Sequence, residues 1–132
     1  MYLLDTNVCI HLLNRRHLQI EEHFKACSPS DISLCSVVKA ELLFGARRSK
    51  NIEKNLQLLE LFFQPLGSLT FDDSCAEQYG IIREELTSQG KIIGPNDLMI
   101  AATAKAHDAV LITNNTKEFS RVSGLRLEDW QS

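Results

Sequence analysis

Tyr2-Leu3-Leu4-Asp5-Thr6-Asn7 is an apolar, β-like run that ends on an acid and passes into residues that favour helix starts. Read outward from it, the same pattern returns. Ile32-Ser33-Leu34-Cys35 is a second strand, followed by Ser36 as the expected N-cap of a helix reaching Arg47. Ala109-Val110-Leu111-Ile112 is the clearest buried strand, and it runs into Thr113-Asn114-Asn115. Helices are expected at 6–13, 18–27, 51–63, from Asp72 or Asp73 to Gln89-Gly90, and from Pro95 to about His107. Short strands are expected at 68–71 and 125–127, with a turn at Ser28-Pro29-Ser30-Asp31. Strands alternating with helices predict an α/β fold whose central, mainly parallel sheet is covered on both faces. Ligands in such sheets bind beyond the carboxyl ends of the strands.

The 132 residues fit one domain spanning 1–132, and an apolar fraction of 44% can fill a core. A formal net charge of −3 argues against a general nucleic-acid coat, so any such contact has to be local or run through metal ions. Cys9, Cys27, Cys35 and Cys75 show no C-x-x-C spacing, which speaks for reduced thiols rather than zinc or redox motifs. His11, His17, His23 and His107 show no ligand spacing and read as surface or boundary residues. The start lacks a basic n-region, and no segment is long enough to span a membrane; a cytoplasmic protein is expected. G-x-S-x-G, Walker and G-x-G-x-x-G patterns are absent, which disfavours serine hydrolases, P-loop NTPases and dinucleotide enzymes.

Three acids fall where such a sheet gathers its site. Asp5 ends the first strand, Glu41 lies five residues past Ser36, and Asp97 follows Gly94-Pro95-Asn96 at a helix start. Each also has an ordinary reading: capping for Asp5, a solvated helix face for Glu41, and a favourable helix dipole for Asp97. Val37 and Phe44, one helical turn either side of Glu41, set it near a packed face where a carboxylate needs a reason. Carboxylates gathered without cations are costly to ionise together, and a hard divalent cation is the usual remedy. That suggests Mg²⁺ or Mn²⁺ and phosphoryl chemistry. Asp5 is expected to ligate the metal, with Thr6 and Asn7 supporting it. Thr113 and Asn115 are expected to hold water or phosphate beside the acids, unless they form only a polar turn. Glu118 is either a fourth acid or a solvated cap.

Together these segments resemble a PIN-domain ribonuclease, and most closely the VapC toxins of bacterial type II toxin–antitoxin pairs. The resemblance is carried by Leu3-Leu4-Asp5-Thr6-Asn7, Ala40-Glu41-Leu42 with Phe44-Gly45-Ala46, Ile93-Gly94-Pro95-Asn96-Asp97 through Ala102, and Leu111-Ile112-Thr113 through Phe119. It implies a PIN-like three-layer α/β/α sandwich, with Asp5 and Asp97 as metal ligands and Glu41 as a further site acid. Many relatives have another Asp after the last core strand; Asn114 and Asn115 stand there here, with Glu118 slightly later. One tightly held ion, with a second arriving with substrate, is therefore the implied picture. The ending Leu127-Glu128-Asp129-Trp130 looks like the branch that cuts initiator tRNA in its anticodon stem-loop, which would inhibit translation.

On that reading water attacks a phosphodiester in line and leaves a 5′-phosphate and a 3′-hydroxyl. Arg15, Arg16, Arg47, Arg48, Lys91 and Lys117 are candidate RNA contacts, each also readable as ordinary solvated charge. The broad apolar stripe of 51–63 and the helix around Leu42–Phe44 suggest a covered surface. The resemblance implies a VapB-type antitoxin there, and a homodimer is the competing use. Two other functions remain open at this stage. A phosphohydrolase with Asp5 as nucleophile would show a phosphoenzyme. A non-catalytic binding module would be indifferent to the loss of Asp5 and Asp97.

Overall fold

The computed structural model describes residues 1–131. Along the chain run β1 (Tyr2–Leu4), α1 (Thr6–Asn14), α2 (Leu18–Ala26), a 3₁₀ turn (Pro29–Asp31), β2 (Ile32–Cys35), α3 (Ser36–Arg47) and α4 (Ile52–Phe63). They are followed by β3 (Gly67–Leu69), α5 (Asp73–Ser88), α6 (Pro95–Ala106), β4 (Val110–Ile112), α7 (Thr116–Phe119) and β5 (Leu127–Glu128). The sheet order is β3-β2-β1-β4-β5, and every neighbouring pair is parallel, with Leu3 opposite both Ser33 and Leu111. The sheet is thus parallel throughout, not merely in the main.

From β1 the chain steps outward through β2 to β3, then crosses back to β4 and β5. With right-handed crossovers, α1 to α4 cover one face and α5 to α7 the other. Most of the packing follows that division: α1 meets α2 and α3, α3 meets α4, and α5 packs most extensively on α6, while α3 also touches α6. Leu3, Leu4, Leu34, Leu111 and Ile112 are fully buried between the layers. Helix α6 is buried along Leu98, Ile100, Ala101, Ala102, Thr103 and Ala104, as its run of small residues foretells. The strand order reverses between the neighbouring strands β1 and β4, and that opens a crevice at the carboxyl edge.

Local details differ from the sequence reading, and the last strand is Leu127–Glu128 rather than 125–127. Asp5 is not the last residue of β1 but the N-cap of α1. Ser36 does not cap α3; Cys35 holds that position without a side-chain bond, and the Ser36 hydroxyl reaches the Leu69 carbonyl at 3.5 Å instead. The edge strand spans 67–69 rather than 68–71, because Gly67 pairs with Ser33. A Cβ at Gly67 would collide with the Ser33 hydroxyl and lie 3.4 Å from its Cβ. Gly67→Ala is therefore expected to lower stability by about 1–2 kcal/mol in urea unfolding. Adding Ser33→Ala should restore most of the loss, since the two side chains share one space.

Candidate active site

Asp5 is the first residue beyond β1. Its N–H donates to the Ile112 carbonyl at 3.0 Å, and its Oδ1 accepts the Val8 N–H at 2.9 Å. The carboxylate is thereby fixed between the two central strands, and only 5% of the residue is exposed. Burial pushes its carboxyl above the usual range; the Thr113 hydroxyl and the Val8 N–H pull it back, Glu41 pushes it up, and His11 pulls it down. His11, read as a surface or boundary residue, is half-buried, and its effect on Asp5 is the smallest of these. Its position six residues beyond the acid matches no ligand spacing, so nothing in the sequence singled it out.

Glu41 sits in the second turn of α3, where its Oε1 accepts the Thr6 hydroxyl at 2.6 Å. Thr6, expected to support Asp5, holds Glu41 instead, and the buried Thr113 takes the supporting place beside Asp5. The expected packed face of α3 is also displaced. Val38, Leu42 and Ala46 are buried at four-residue spacing, while Ala40 and Phe44 are exposed and Val37 is half-buried. Helix α3 is apolar on nearly every side, so the pattern did not say which stripe faces inward. Glu41 therefore borders an open cleft of about 650 Å³ lined by Thr6, Asn7, Val37, Phe44, Asn96 and Met99 among others. The exposed Asn7 contributes to that cleft wall.

Asp97 lies in the first turn of α6, after the N-cap Gly94 and Pro95 at the first helical position. Burial raises its carboxyl from the ordinary 3.8 to about 6, and the charges of Glu118, Glu41 and Asp5 add to the rise in that order. These four acids thus share one electrostatic neighbourhood. Glu118, left open between acid and cap, is drawn fully into it. Its Oε1 accepts the Gly94 N–H at 3.1 Å and its Oε2 accepts the Asn115 side-chain amide at 2.9 Å. The Asn115 bond, followed by the Gly94 bond, holds Glu118 below the usual carboxylate range. Asn115 is itself placed by its N–H, which donates to the Thr113 hydroxyl at 3.0 Å. One short segment after β4 therefore braces the loop that launches α6 and keeps a negative charge beside Asp97.

Arg15, Arg16, Arg47, Arg48, Lys91 and Lys117 are all exposed. None is in an ion pair among the described residues, where Arg126–Asp108 is the pair found. Arg15 joins Glu41 in lining a groove of about 540 Å³ between α1, α3 and α4, with Leu13, Leu42, Leu58, Leu59 and Phe62. The broad stripe of α4 divides as expected: Leu59 is buried, whereas Leu58 and Leu61 face outward.

The PIN domain family model matches residues 2–125. The chain is 40% identical over 129 residues to the tRNA(fMet)-specific endonuclease VapC of Shigella flexneri, covering 98% of this chain and 97% of that protein. It is equally identical over 131 residues to ribonuclease VapC2 of Rickettsia felis, covering 98% of each. Among solved structures, VapBC2 of Rickettsia felis bound to a promoter DNA fragment superposes with a TM-score of 0.91 at 39% identity, covering 98% of both chains. DNA-bound VapBC of Salmonella typhimurium gives 0.92 at 38%, covering 98% and 97%. With the family model matched along nearly its whole length and full-length relatives at this identity, the chain belongs to the PIN-domain family, in its VapC branch.

Proposed function

We propose that this chain is the toxin of a type II toxin–antitoxin pair and a Mg²⁺-dependent endoribonuclease whose substrate is tRNA, with initiator tRNA cut in its anticodon stem-loop. The observation that carries the metal is the cluster itself. Burial raises the carboxyls of both Asp5 and Asp97, and Asp97 is pushed up further by the charges of Glu118, Glu41 and Asp5. An all-oxygen donor set under mutual repulsion fits a hard divalent cation, Mg²⁺ or Mn²⁺. Asp5 and Asp97 would hold it, and when bound it supplies charge neutralisation and an acidified water.

The protein's own groups do the rest. Val8 and Thr113 hold Asp5 in place, and Asn115 with Glu118 sets the loop ahead of Asp97. Glu41, with one oxygen fixed by Thr6, keeps its other oxygen to orient a water. In-line hydrolysis leaves a 5′-phosphate and a 3′-hydroxyl. The exposed arginines and lysines supply phosphate contacts, so cleavage should weaken steeply with salt; a flat response would sink that patch. The identity of the RNA rests on the relatives, one of which is a tRNA(fMet)-specific endonuclease.

A VapB-type antitoxin segment is the proposed occupant of the groove between α1, α3 and α4. Related structures are VapBC complexes, and here the exposed Ile10 and Leu58 line that groove. Ile10 and Glu41 border both groove and cleft, so an inserted segment would reach the acids. A second copy of the chain is the competing occupant. Expression without antitoxin, followed by mapping of new 5′ ends in total RNA, tests activity and target together. New ends confined to tRNA are expected; their absence would overturn the function.

The cluster also makes a stability prediction for the metal-free protein. Asp97 releases its proton near pH 6 when folded and near 3.8 when unfolded, so folding takes up a proton between those values. Its repulsion is absent below that window and complete above it. Stability in chelator should therefore rise as pH falls from 7 to about 5, by roughly 1 kcal/mol once solvent screening of this half-buried group is allowed for. The lowered carboxyl of Glu118 works the other way, but only below about its ordinary 4.5. Urea unfolding across pH should show the slope in the wild type and lose most of it in Asp97→Asn or with saturating Mg²⁺.

A further inference from the structure

The geometry points to a second metal site, of different chemistry, formed by Asp72, Cys75 and His107. A carboxylate oxygen, the thiol sulfur and an imidazole nitrogen of these residues all lie within 4.8 Å of one another. Asp72 and Cys75 are three residues apart, and the distant His107 joins them because α5 and α6 pack with the start of one beside the end of the other. Asp72 is the N-cap of α5, Cys75 lies in its first turn, and His107 is the C-cap of α6. Asp97 sits at the opposite end of α6, about 15 Å away by helical rise, so the cluster is separate from the acids.

Each residue has a local duty that leaves ligand capacity in hand. Asp72 Oδ1 accepts the Cys75 N–H at 3.1 Å, which uses one of several acceptor sites on an exposed carboxylate. The fully buried Cys75 thiol has a weak contact to the Thr70 carbonyl at 3.6 Å. His107 Nε2 is buried and has no hydrogen-bond partner among the described residues. A buried ring nitrogen without a partner is costly, and neither capping nor packing accounts for it. His17 Nδ1 is orphaned too, but no comparable group of ligand atoms gathers beside it among the described residues.

Thiolate, imidazole and carboxylate together select a borderline-soft ion such as Zn²⁺, four-coordinate with one position left to water on the exposed Asp72 side. Binding takes the Cys75 thiolate, and the thiol proton leaves to solvent. The ion would tie the N-terminus of α5 to the C-terminus of α6 and satisfy the stranded Nε2. This is a site for a transition metal, distinct from the Mg²⁺ demand of the acids, which three hard oxygen donors or more would meet.

The test uses the full chain, stripped with chelator and titrated with Co²⁺ and then Zn²⁺ in excess Mg²⁺. One equivalent of Co²⁺ should give a thiolate-to-cobalt charge-transfer band, which Zn²⁺ bleaches. Cys75→Ser and His107→Gln should abolish the band, and Asp97→Asn should leave it intact. Asp72→Asn keeps a good N-cap on an exposed position, so it retains the fold, and it should weaken binding at least about tenfold. The site is overturned by a wild type without the band, by a band that survives Cys75→Ser, or by one that disappears in Asp97→Asn. Should Cys75→Ser fail to fold, equal affinity in Asp72→Asn and wild type overturns it alone.

Discussion

Asp5→Asn and Asp97→Asn are each expected to slow RNA cleavage by about a thousandfold or more, with the fold retained. Both replacements keep shape and remove charge. Asn accepts a hydrogen bond as Asp does, so the bond from the Val8 N–H to residue 5 survives and α1 stays capped. At position 97 the change relieves repulsion from Glu118, Glu41 and Asp5, so the metal-free variant should unfold at higher urea than the wild type. What each variant loses is one of the two anionic oxygens that would hold the cation. Rates on tRNA, read beside circular dichroism and Mg²⁺-dependent melting, separate the two effects. A well-folded Asp97→Asn protein that cleaves within tenfold of wild type would falsify the metal reading. Glu41→Gln should cost less than either, because its place is set by Thr6 rather than by the central strands.

Trp130→Ala should cost about 3–5 kcal/mol, a large share of the roughly 5–15 kcal/mol that holds a domain of this size. Trp130 is 2% exposed although it lies two residues from the end of the chain. Its ring stacks on His23 with centroids 5.5 Å apart and meets the edge of Tyr2 at 5.6 Å, while Nε1 donates to Glu128 at 3.1 Å. It thus ties the segment after β5 to β1 and α2. Trp130→Phe keeps most of the apolar contact but leaves Glu128 without its donor, and should cost about 1–2 kcal/mol. Thermal and urea midpoints check both values. Because Tyr2 leads directly into Asp5, the alanine variant should also lose cleavage activity at temperatures where the wild type is still active.

Trp130 also shows where sequence reasoning stops. The ending Leu127-Glu128-Asp129-Trp130 offered the sequence reading a resemblance only, and the packing of Trp130 on Tyr2 and His23 depends on tertiary contact that no local pattern carries. Helix α6 was readable to within a residue because Pro95 and a run of small residues leave few alternatives. Strand β2 was readable for a similar reason: four buried residues between a proline turn and a helix. Glu41 was identified with the wrong surroundings, since the stripe buried in α3 depends on α1 and α4. Glu118 was undecidable because its partners are a backbone N–H twenty-four residues earlier and an amide next to the strand. The Asp72–Cys75–His107 group escaped altogether: its third member is contributed by a different helix, so motif spacing has nothing to register.

The strand order carries a consequence for synthesis. β1 is the central strand, yet one of its neighbours is β4, so Tyr2 pairs with Val110. Asp5 is made more than a hundred residues before the Ile112 carbonyl that anchors it and the Glu118 charge that acts on Asp97. Pairing over so long a separation forms late and slowly. A nascent chain that still lacks β4 and Glu118 therefore bears no assembled acidic centre.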